Sequence, residues 1–373
     1  MNFNSQPGRA PHQVSHIQER LIARSEIVLP SFLAGEIYSD PVFSKDRGRS
    51  AEGGKIAGFR IKMTMSEKIV FMGSPEFALP TLRRLAESFQ VIGVVTQPDR
   101  PAGRGRTLAP PPVKQYAVER GIPVIQPERL KEPAALQQLT EWAPDVIVVA
   151  AFGQILRQAV LDLPKHGCVN VHASLLPRWC GAAPIQAAIL NGDTTSGITI
   201  MRMDAGVDTG PILSQRSLPI LPNETSGSLS DRLAELGASL LEETLPDYLE
   251  GRITPQLQDD TGATYAPMLK KEDGRLDFSQ DAASLVRRVH AFNPWPGAFT
   301  TWEGQILKVH RALAADEMVG NPGSTGIYQD MPVITCNAGC LVLVEVQPSG
   351  KKPMGGDVFL RGARNWGTQP VTN

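Results

Sequence analysis

The sequence of 373 residues contains little cysteine, no long apolar run and almost no net charge. Its four cysteines are accompanied by no second cluster of cysteine or histidine that would complete a zinc site. No stretch of about 18 apolar residues is present that would span a membrane. The formal net charge of −1 excludes a globally basic nucleic-acid-binding protein, although a local basic patch still binds phosphates, because its charges act over about 10 Å. We therefore expect a metal-free protein of a reducing, cytoplasmic compartment that does not bind a membrane.

The segment before Met63 shows no sustained helical or strand period and mixes proline, glycine, serine and both signs of charge. This composition predicts disorder. Acidic residues such as Glu19 argue against a mitochondrial targeting peptide, and no apolar core resembles a secretory signal. Since Met63 and Met65 directly precede the first apolar strand, we expect residues 1–64 to be a disordered extension or an artefact of a start codon assigned too early.

From Lys68 onward, short apolar strands alternate with helices. The strands are predicted over residues 68–73, 91–96, 122–126, 145–151, 167–174 and 196–204, and the helices over 76–88, 113–120, 133–142 and 183–192. Continuous apolar strands with helices between them indicate a parallel sheet that is covered on both faces. The expected fold class is therefore α/β, with a Rossmann-like N-terminal domain whose ligands bind beyond the carboxyl ends of the strands.

The length allows two domains of ordinary size, and the pattern changes after one long helix. This amphipathic helix is predicted from Ser228 to Glu250, with an apolar stripe of Leu229, Leu233, Leu236 and Leu240. One more helix follows, and then several short strands broken by glycine and proline predict a small β-barrel of the oligonucleotide-binding (OB) type. We expect an N-terminal domain over residues 65–250, a linker over 251–264 and a C-terminal β-barrel domain over 265–373.

The stretch CVNVHASLLPRW, residues 168–179, holds the first candidate site residues. Asn170 and His172 are two apart on a predicted strand, so their side chains point to the same face near its carboxyl end. Asp208 follows the next predicted strand. In an attack by a substrate's own amine on a carbonyl carbon, the amide and the imidazole would meet the developing oxyanion, and the carboxylate would orient His172 or accept the amine's proton. An Asn-x-His pair by itself also fits an ordinary strand end whose polar side chains meet water.

The sequence NVHASLLPRWCGAAPIQAAILNGDTTSGITIMRMDAGVDTGPIL resembles the signature of the folate-dependent formyltransferases. In that signature, N-x-H and S-L-L-P are followed by D-x-G-x-D-T-G. The stretches TQPDRPAGRGRTLAPPPVK (96–114) and AFNPWPGAF (291–299) narrow the resemblance to the methionyl-tRNA branch of the family. The similarity runs from Lys68 nearly to the C-terminus, so it covers both predicted domains.

The resemblance implies a role for each matching residue. Asn170, His172 and Asp208 match the catalytic trio of the family. A second stretch matches the tetrahydrofolate-binding turn of the family and consists of Ser174, Leu175, Leu176 and Pro177. The backbone groups of this turn would bond the pterin. The resemblance further implies that 10-formyltetrahydrofolate is the formyl donor and that the α-amine of initiator methionyl-tRNA is the acceptor. We expect the enzyme to be a monomer.

The segment from Gln97 to Lys114 is rich in basic residues, glycine and proline, which predicts a mobile basic loop. Its cations are Arg100, Arg104, Arg106 and Lys114. The alternative is a solvated surface loop with no ligand. In the family, the equivalent loop enters the tRNA acceptor stem, where arginine and lysine contact phosphates, so the resemblance implies tRNA binding here. It also implies tRNA binding by the C-terminal barrel, whose acidic and basic residues would then have to lie on different faces.

Cys180 departs from the family pattern, in which this position of LLPRWCGAAP is usually basic. A contact to tRNA or folate is therefore expected to be missing. We expect activity to be retained, because the trio and the basic loop are intact. Cys180 is then a passive small residue, and Cys336 and Cys340 are two unpaired residues of the barrel.

The same trio also fits formyltransferases that act on a purine-pathway ribonucleotide or an aminosugar nucleotide, and a hydrolase of formylated folate. The basic loop and the barrel argue against the first two, and the hydrolase is expected to need further domains downstream. A non-catalytic tRNA-binding module is the alternative from another class of protein. Loss of a trio residue would have indicated such a module, and all three are present.

Overall fold

The computed structural model describes residues 65–102, 107–317 and 320–372. The predicted extension 1–64 and two residues of the basic loop, Arg104 and Arg106, lie outside these ranges. Among the described residues, no helix is both long enough and apolar enough to cross a membrane.

The chain begins with alternating strands and helices and ends in consecutive strands. The strands are β1 (Met65–Gly73), β2 (Phe89–Val95), β3 (Arg100–Ala102), β4 (Thr107–Ala109), β5 (Val124–Ile125), β6 (Val146–Ala150), β7 (Cys168–His172), β8 (Cys180–Gly181), β9 (Thr195–Arg202), β10 (Ile212–Pro219), β11 (Tyr265–Ala266), β12 (Ala298–Trp302), β13 (Gln305–Ala315), β14 (Thr325–Tyr328), β15 (Met331–Thr335), β16 (Cys340–Pro348) and β17 (Met354–Gly355). The α-helices are α1 (Leu79–Ser88), α2 (Pro112–Glu119), α3 (Pro133–Trp142), α4 (Gln158–Leu161), α5 (Pro184–Leu190), α6 (Ser226–Leu249), α7 (Ala282–Ala291) and α8 (Gly356–Gly362).

The N-terminal sheet has seven strands in the order β10-β9-β7-β6-β1-β2-β5. The five strands from β7 to β5 are parallel, as predicted, but β9 is antiparallel to both of its neighbours. The predicted parallel sheet is therefore mixed. Parallel pairing would require the connection after β7 to carry the chain back along the whole sheet, whereas the pairs His172–Thr199 and Val169–Arg202 show that the chain enters β9 near the end at which β7 stops.

Both faces of this sheet are covered, because successive side chains alternate between two apolar layers. Ile69 and Phe71 of β1 pack in one layer with residues of α1 and α6, and Val70 and Met72 pack in the other with Leu139 of α3. These strand residues are fully buried. Strands that are buried on both faces are apolar throughout, which explains the continuous apolar runs in the sequence.

The long helix α6 begins at a capping box and packs on α1, β9 and β10. Thr225 accepts a hydrogen bond from the backbone N–H of Ser228, and the Ser228 hydroxyl bonds the Thr225 backbone in return. The predicted stripe is confirmed at Leu229, Leu233 and Leu240, which are buried, whereas Leu236 is half-buried.

The C-terminal sheet is antiparallel, in the order β12-β13-β16-β15-β14, with β17 beside β16. Its edge strands are joined by the last described residues. Thr372 exchanges two backbone hydrogen bonds with Thr301 of β12, and the neighbouring Val371 N–H donates to the carbonyl of Gly323, next to β14. The C-terminal segment thus closes the sheet, and the predicted α/β class with a barrel of antiparallel strands is confirmed.

Replacing Leu233 with alanine is expected to reduce the free energy of unfolding by about 2–5 kcal/mol, because it leaves a cavity under α6. The same change at half-buried Leu236, three residues along the helix, is the matched control and should cost only about 1 kcal/mol. Chemical denaturation of both variants measures the difference. Equal losses would show that the apolar face of α6 is not the one described.

Candidate active site

Asn170 and His172 project from the same face of β7, as the period of a strand predicts. Both are buried, with 9% and 6% of their surfaces exposed. Buried polar groups need partners, so the groups around them define the site.

Asp208 reaches these two side chains because the chain turns back after β9. Since β9 runs against β7, its end at Arg202 lies beside Val169, at the start of β7. The following loop brings the Asp208 carboxylate to 3.5 Å from Nδ1 of His172 and 3.4 Å from Nδ2 of Asn170. Asp208 itself is held with a φ of +56°, in the left-handed region that non-glycine residues rarely adopt.

The loop approaches β9 so closely that one of its positions requires glycine. A Cβ atom on Gly210 would lie 2.0 Å from the carbonyl oxygen of Arg202. The Arg202 N–H also bonds the carbonyl of Pro211 at 2.9 Å. These contacts fix the return of the chain along the sheet and so fix the position of Asp208.

Two backbone groups of the turn after β7 complete the environment of the trio. The carbonyl of Trp179 lies 3.0 Å from Nε2 of His172 and only accepts hydrogen bonds, so Nε2 carries a proton. The N–H of Gly181 donates to the Asp208 carboxylate at 2.8 Å. Nδ1 of His172 is therefore the ring nitrogen that is able to accept a proton, and Asp208 would stabilise the resulting imidazolium.

Side-chain contacts of Arg178, Trp179 and Asp193 stabilise the turn after β7. The Arg178 guanidinium bonds both carboxylate oxygens of Asp193, at 2.6 and 3.0 Å, and stacks over the ring of Trp179 at 4.4 Å. The indole N–H of Trp179 donates to the same carboxylate at 2.8 Å. Burial raises the pKa of Asp193, but these hydrogen bonds outweigh it and hold the pKa below its usual value. Sequence reasoning missed Trp179, Gly181 and Asp193, because two act through the backbone and Asp193 lies in a different loop.

The predicted folate-binding turn, Ser174 to Pro177, is tied to the protein by its own backbone. The Thr199 hydroxyl donates to the carbonyl of Ser174 at 2.7 Å and accepts from the N–H of Leu176 at 3.0 Å. The carbonyl of Leu176 accepts from Gln215 at 2.8 Å. The carbonyls of Ser174 and Leu176 and the N–H of Leu176 are thus already hydrogen-bonded within the protein. Leu175 is half-buried and Leu176 and Ser174 are buried, so the turn is rigidly placed beside the trio.

The segment predicted as a basic loop, Gln97 to Lys114, contains a short hairpin of β3 and β4 and the start of α2. Arg100 is exposed on β3, and its guanidinium lies 3.8 Å from the carboxylate of Glu128. Lys114 lies on α2 and forms an ion pair of 2.8 Å with Asp99, which also accepts from Gln126. Hydrogen bonds from Lys114 and Gln126 lower the pKa of Asp99, so the charge of Lys114 is neutralised locally.

Cys180 is buried in a small apolar group with Leu176, Met201 and Ile212. Its thiol donates to the carbonyl of Pro177 at 3.3 Å, and burial raises its pKa. This environment is that of a structural thiol. Within the described ranges, no three His, Cys, Asp or Glu residues are grouped so that they could hold a metal ion.

Two family models match the chain in succession. The model described as formyl transferase matches residues 67–245, and the model described as formyl transferase, C-terminal domain, matches residues 268–364. The methionyl-tRNA formyltransferase of Myxococcus xanthus is 50% identical over 299 residues, which are 79% of this chain and 95% of that protein. The methionyl-tRNA formyltransferase of Geobacter metallireducens is 50% identical over 298 residues, which are 79% of this chain and 96% of that protein.

Solved structures share the fold at lower identity. HypX from Aquifex aeolicus in complex with tetrahydrofolic acid superposes with a TM-score of 0.55 at 18% identity, over 81% of this chain and 48% of HypX. WlaRD, a sugar 3N-formyl transferase studied in the presence of dTDP and 5-N-formyl-THF, gives a TM-score of 0.56 at 18% identity, over 77% of this chain and 100% of WlaRD. At this level of identity the likeness concerns the fold.

All four cysteines are free and buried, and burial raises the pKa of Cys168 and of Cys336 to about 12. The thiolate is the reactive form, so a disulfide reagent at neutral pH is expected to modify none of them within minutes in the folded protein. After denaturation, four thiols per chain should react. Prompt reaction of one thiol in the folded protein, abolished by Cys180→Ala, would contradict the structural role given to Cys180.

Proposed function

This chain belongs to the family of methionyl-tRNA formyltransferases, and we propose that it transfers the formyl group of 10-formyltetrahydrofolate to the free α-amine of methionine on the initiator tRNA. The observation that carries the proposal is the trio itself. At the end of β7, the Asp208 carboxylate lies 3.4 Å from the Asn170 amide and 3.5 Å from the His172 ring, and the three side chains include no serine or cysteine. Such a group suits direct attack by the substrate's own amine.

The geometry supports a separate role for each member of the trio. As the amine nitrogen bonds to the formyl carbon, the electron pair of the carbonyl moves to its oxygen, and Nδ2 of Asn170 donates to the resulting oxyanion. The amine proton passes to Nδ1 of His172, because Nε2 is already protonated and bonded to Trp179. Asp208 stabilises the imidazolium. When the oxyanion collapses, the bond from carbon to the folate nitrogen breaks, and that nitrogen takes up the proton.

We assign substrate binding to the residues that match the family. Ser174, Leu175, Leu176 and Pro177 would line the folate site, and solved relatives of this fold that hold tetrahydrofolate or a formylated folate support a folate co-substrate. Arg100, Arg104 and Arg106 would contact tRNA phosphates. Lys114, also predicted for this role, would contribute less because Asp99 neutralises its charge. Residues 65–250 would then form the catalytic domain, 251–264 the linker and 265–373 the tRNA-binding barrel of a cytoplasmic monomer.

The test is a formylation assay of the purified protein with 10-formyltetrahydrofolate and methionyl initiator tRNA. Formation of N-formylmethionyl-tRNA is expected. Failure with this pair, together with turnover on a purine-pathway ribonucleotide or an aminosugar nucleotide, would overturn the proposal.

Asn170→Ala and His172→Ala are each expected to lower kcat by on the order of 10² or more and to leave the Kd for tRNA nearly unchanged, because their interactions form chiefly in the transition state. Asp208→Asn should be similarly harmful and far from additive with His172→Ala, since the two act as a unit. Exposed Asn337, changed to alanine, is the control for loss of an amide. If an alanine variant kept a near-normal kcat and lost only folate binding, Asn170 and His172 would be binding residues and not catalytic ones.

Reversing the charge at Arg104 and Arg106 is expected to weaken tRNA binding and to flatten its dependence on salt, by about one unit of log–log slope for each lost phosphate contact. Exposed Lys165→Glu, just before the start of β7 and so at the opposite end of that strand from His172, is the control. Binding measured over a series of salt concentrations gives the slopes. A salt slope equal to that of the control variant would show that tRNA binds elsewhere on the protein.

A further inference from the structure

The segment from Gln256 to Ala266, which we call the clasp, follows α6 and is hydrogen-bonded to both loops that shape the site. Its first residues contact the loop that holds Asp208, and its last residues contact the turn that holds Trp179 and Gly181. The two loops are far apart in sequence, so the clasp is a third element that joins them. No sequence pattern predicted this role, since the segment was expected to be a linker.

At the first contact, Gln258 bonds the loop directly on either side of Thr209. Its side-chain amide donates to the carbonyls of Asp208, at 2.8 Å, and of Gly210, at 2.7 Å. Nearby, Gln256 and Ile212 exchange two backbone hydrogen bonds of 2.8 and 2.7 Å. Because Asp208 has a left-handed backbone, which is unfavourable for a residue with a Cβ atom, its conformation depends on such surrounding bonds.

At the second contact, Thr264 bonds the turn with its backbone and its side chain. Its hydroxyl accepts from the N–H of Trp179 at 2.8 Å, and its carbonyl accepts from the N–H of Cys180 at 2.9 Å. Trp179, like Asp208, is a non-glycine residue with a left-handed backbone, at a φ of +61°. Its carbonyl is the group that bonds His172, so a rotation of this residue would release the ring.

We propose that Gln258 and Thr264 are positioning residues of the trio, Gln258 for Asp208 and Thr264 for His172. The proposal rests on the proposed function of the same site. Neither side chain needs to touch a substrate, because each acts through a backbone group. The chain that leads to the C-terminal barrel is therefore part of the scaffold of the reaction.

The experiment on Gln258 uses Gln258→Leu, which removes the amide donors at similar size, and Gln137→Leu on exposed α3 as the matched control. We expect kcat to fall on the order of 10-fold in Gln258→Leu, with KM for methionyl-tRNA within about 2-fold, because a small displacement of a catalytic group is costly. In the Asp208→Asn background the same change should have almost no further effect. An unchanged kcat, or the same fold-loss in both backgrounds, would overturn the role of Gln258.

Thr264 is tested with an isosteric pair. Thr264→Val removes the acceptor and should lower kcat on the order of 10-fold, whereas Thr264→Ser keeps the hydroxyl and should retain most of the activity. The ring ¹⁵N resonances of His172 give a readout independent of turnover, and they should shift in the valine variant and not in the serine variant. Equal behaviour of the two variants would overturn the role of Thr264.

Failure of the proposed function and failure of the positioning role of the clasp give different results. If the wild-type protein formylated no methionyl-tRNA, the proposed function would be wrong, and the His172 resonances would still decide whether Thr264 positions the ring. If the wild-type protein were active and both Gln258→Leu and Thr264→Val matched it, the clasp would be a passive linker.

Discussion

The carboxylate of Asp208 is the contact on which the site depends. It meets the amide of Asn170, the ring of His172 and the N–H of Gly181, and so draws together a strand, a turn and a loop. A carboxylate that is only 15% exposed is costly unless its oxygens are bonded, and the groups that bond it here are those the proposed reaction requires. The arrangement that stabilises the charge is thus also the arrangement proposed to catalyse formyl transfer.

The position of this carboxylate follows from the direction of β9. If β9 were parallel to β7, it would end at the carboxyl end of the sheet, and the loop that carries Asp208 would start beside His172. The antiparallel strand releases the chain at the opposite end, so the loop must run back along the sheet and turn sharply at Asp208. The close approach at Gly210 and the bonds from Gln258 hold this strained path, as is common where a backbone is shaped for function.

The charged residues of the hairpin and of the turn differ in the partners that surround them. The net charge of the chain is close to zero, so any attraction for tRNA must come from local imbalance and not from the whole molecule. In the hairpin region, Asp99 neutralises Lys114 at 2.8 Å, whereas exposed Arg100 lies 3.8 Å from Glu128. At the turn, Asp193 binds Arg178 in two places, which uses that cation for structure. Similar residues therefore act differently according to their neighbours.

The sequence by itself determined the elements whose signals are local. Helix α3 spans Pro133–Trp142 as predicted, and Asn170 and His172 share a face because side chains of a strand alternate. Tertiary structure alone decided the direction of β9, the presence of strand β10 and the hydrogen bonds to the trio. These bonds join residues far apart in sequence: Asn170 and Asp208 are 38 positions apart, and Asp208 and Gln258 are 50 apart. Such contacts depend on where the backbone turns, and a periodic pattern of side chains carries no information about the path of a connecting loop.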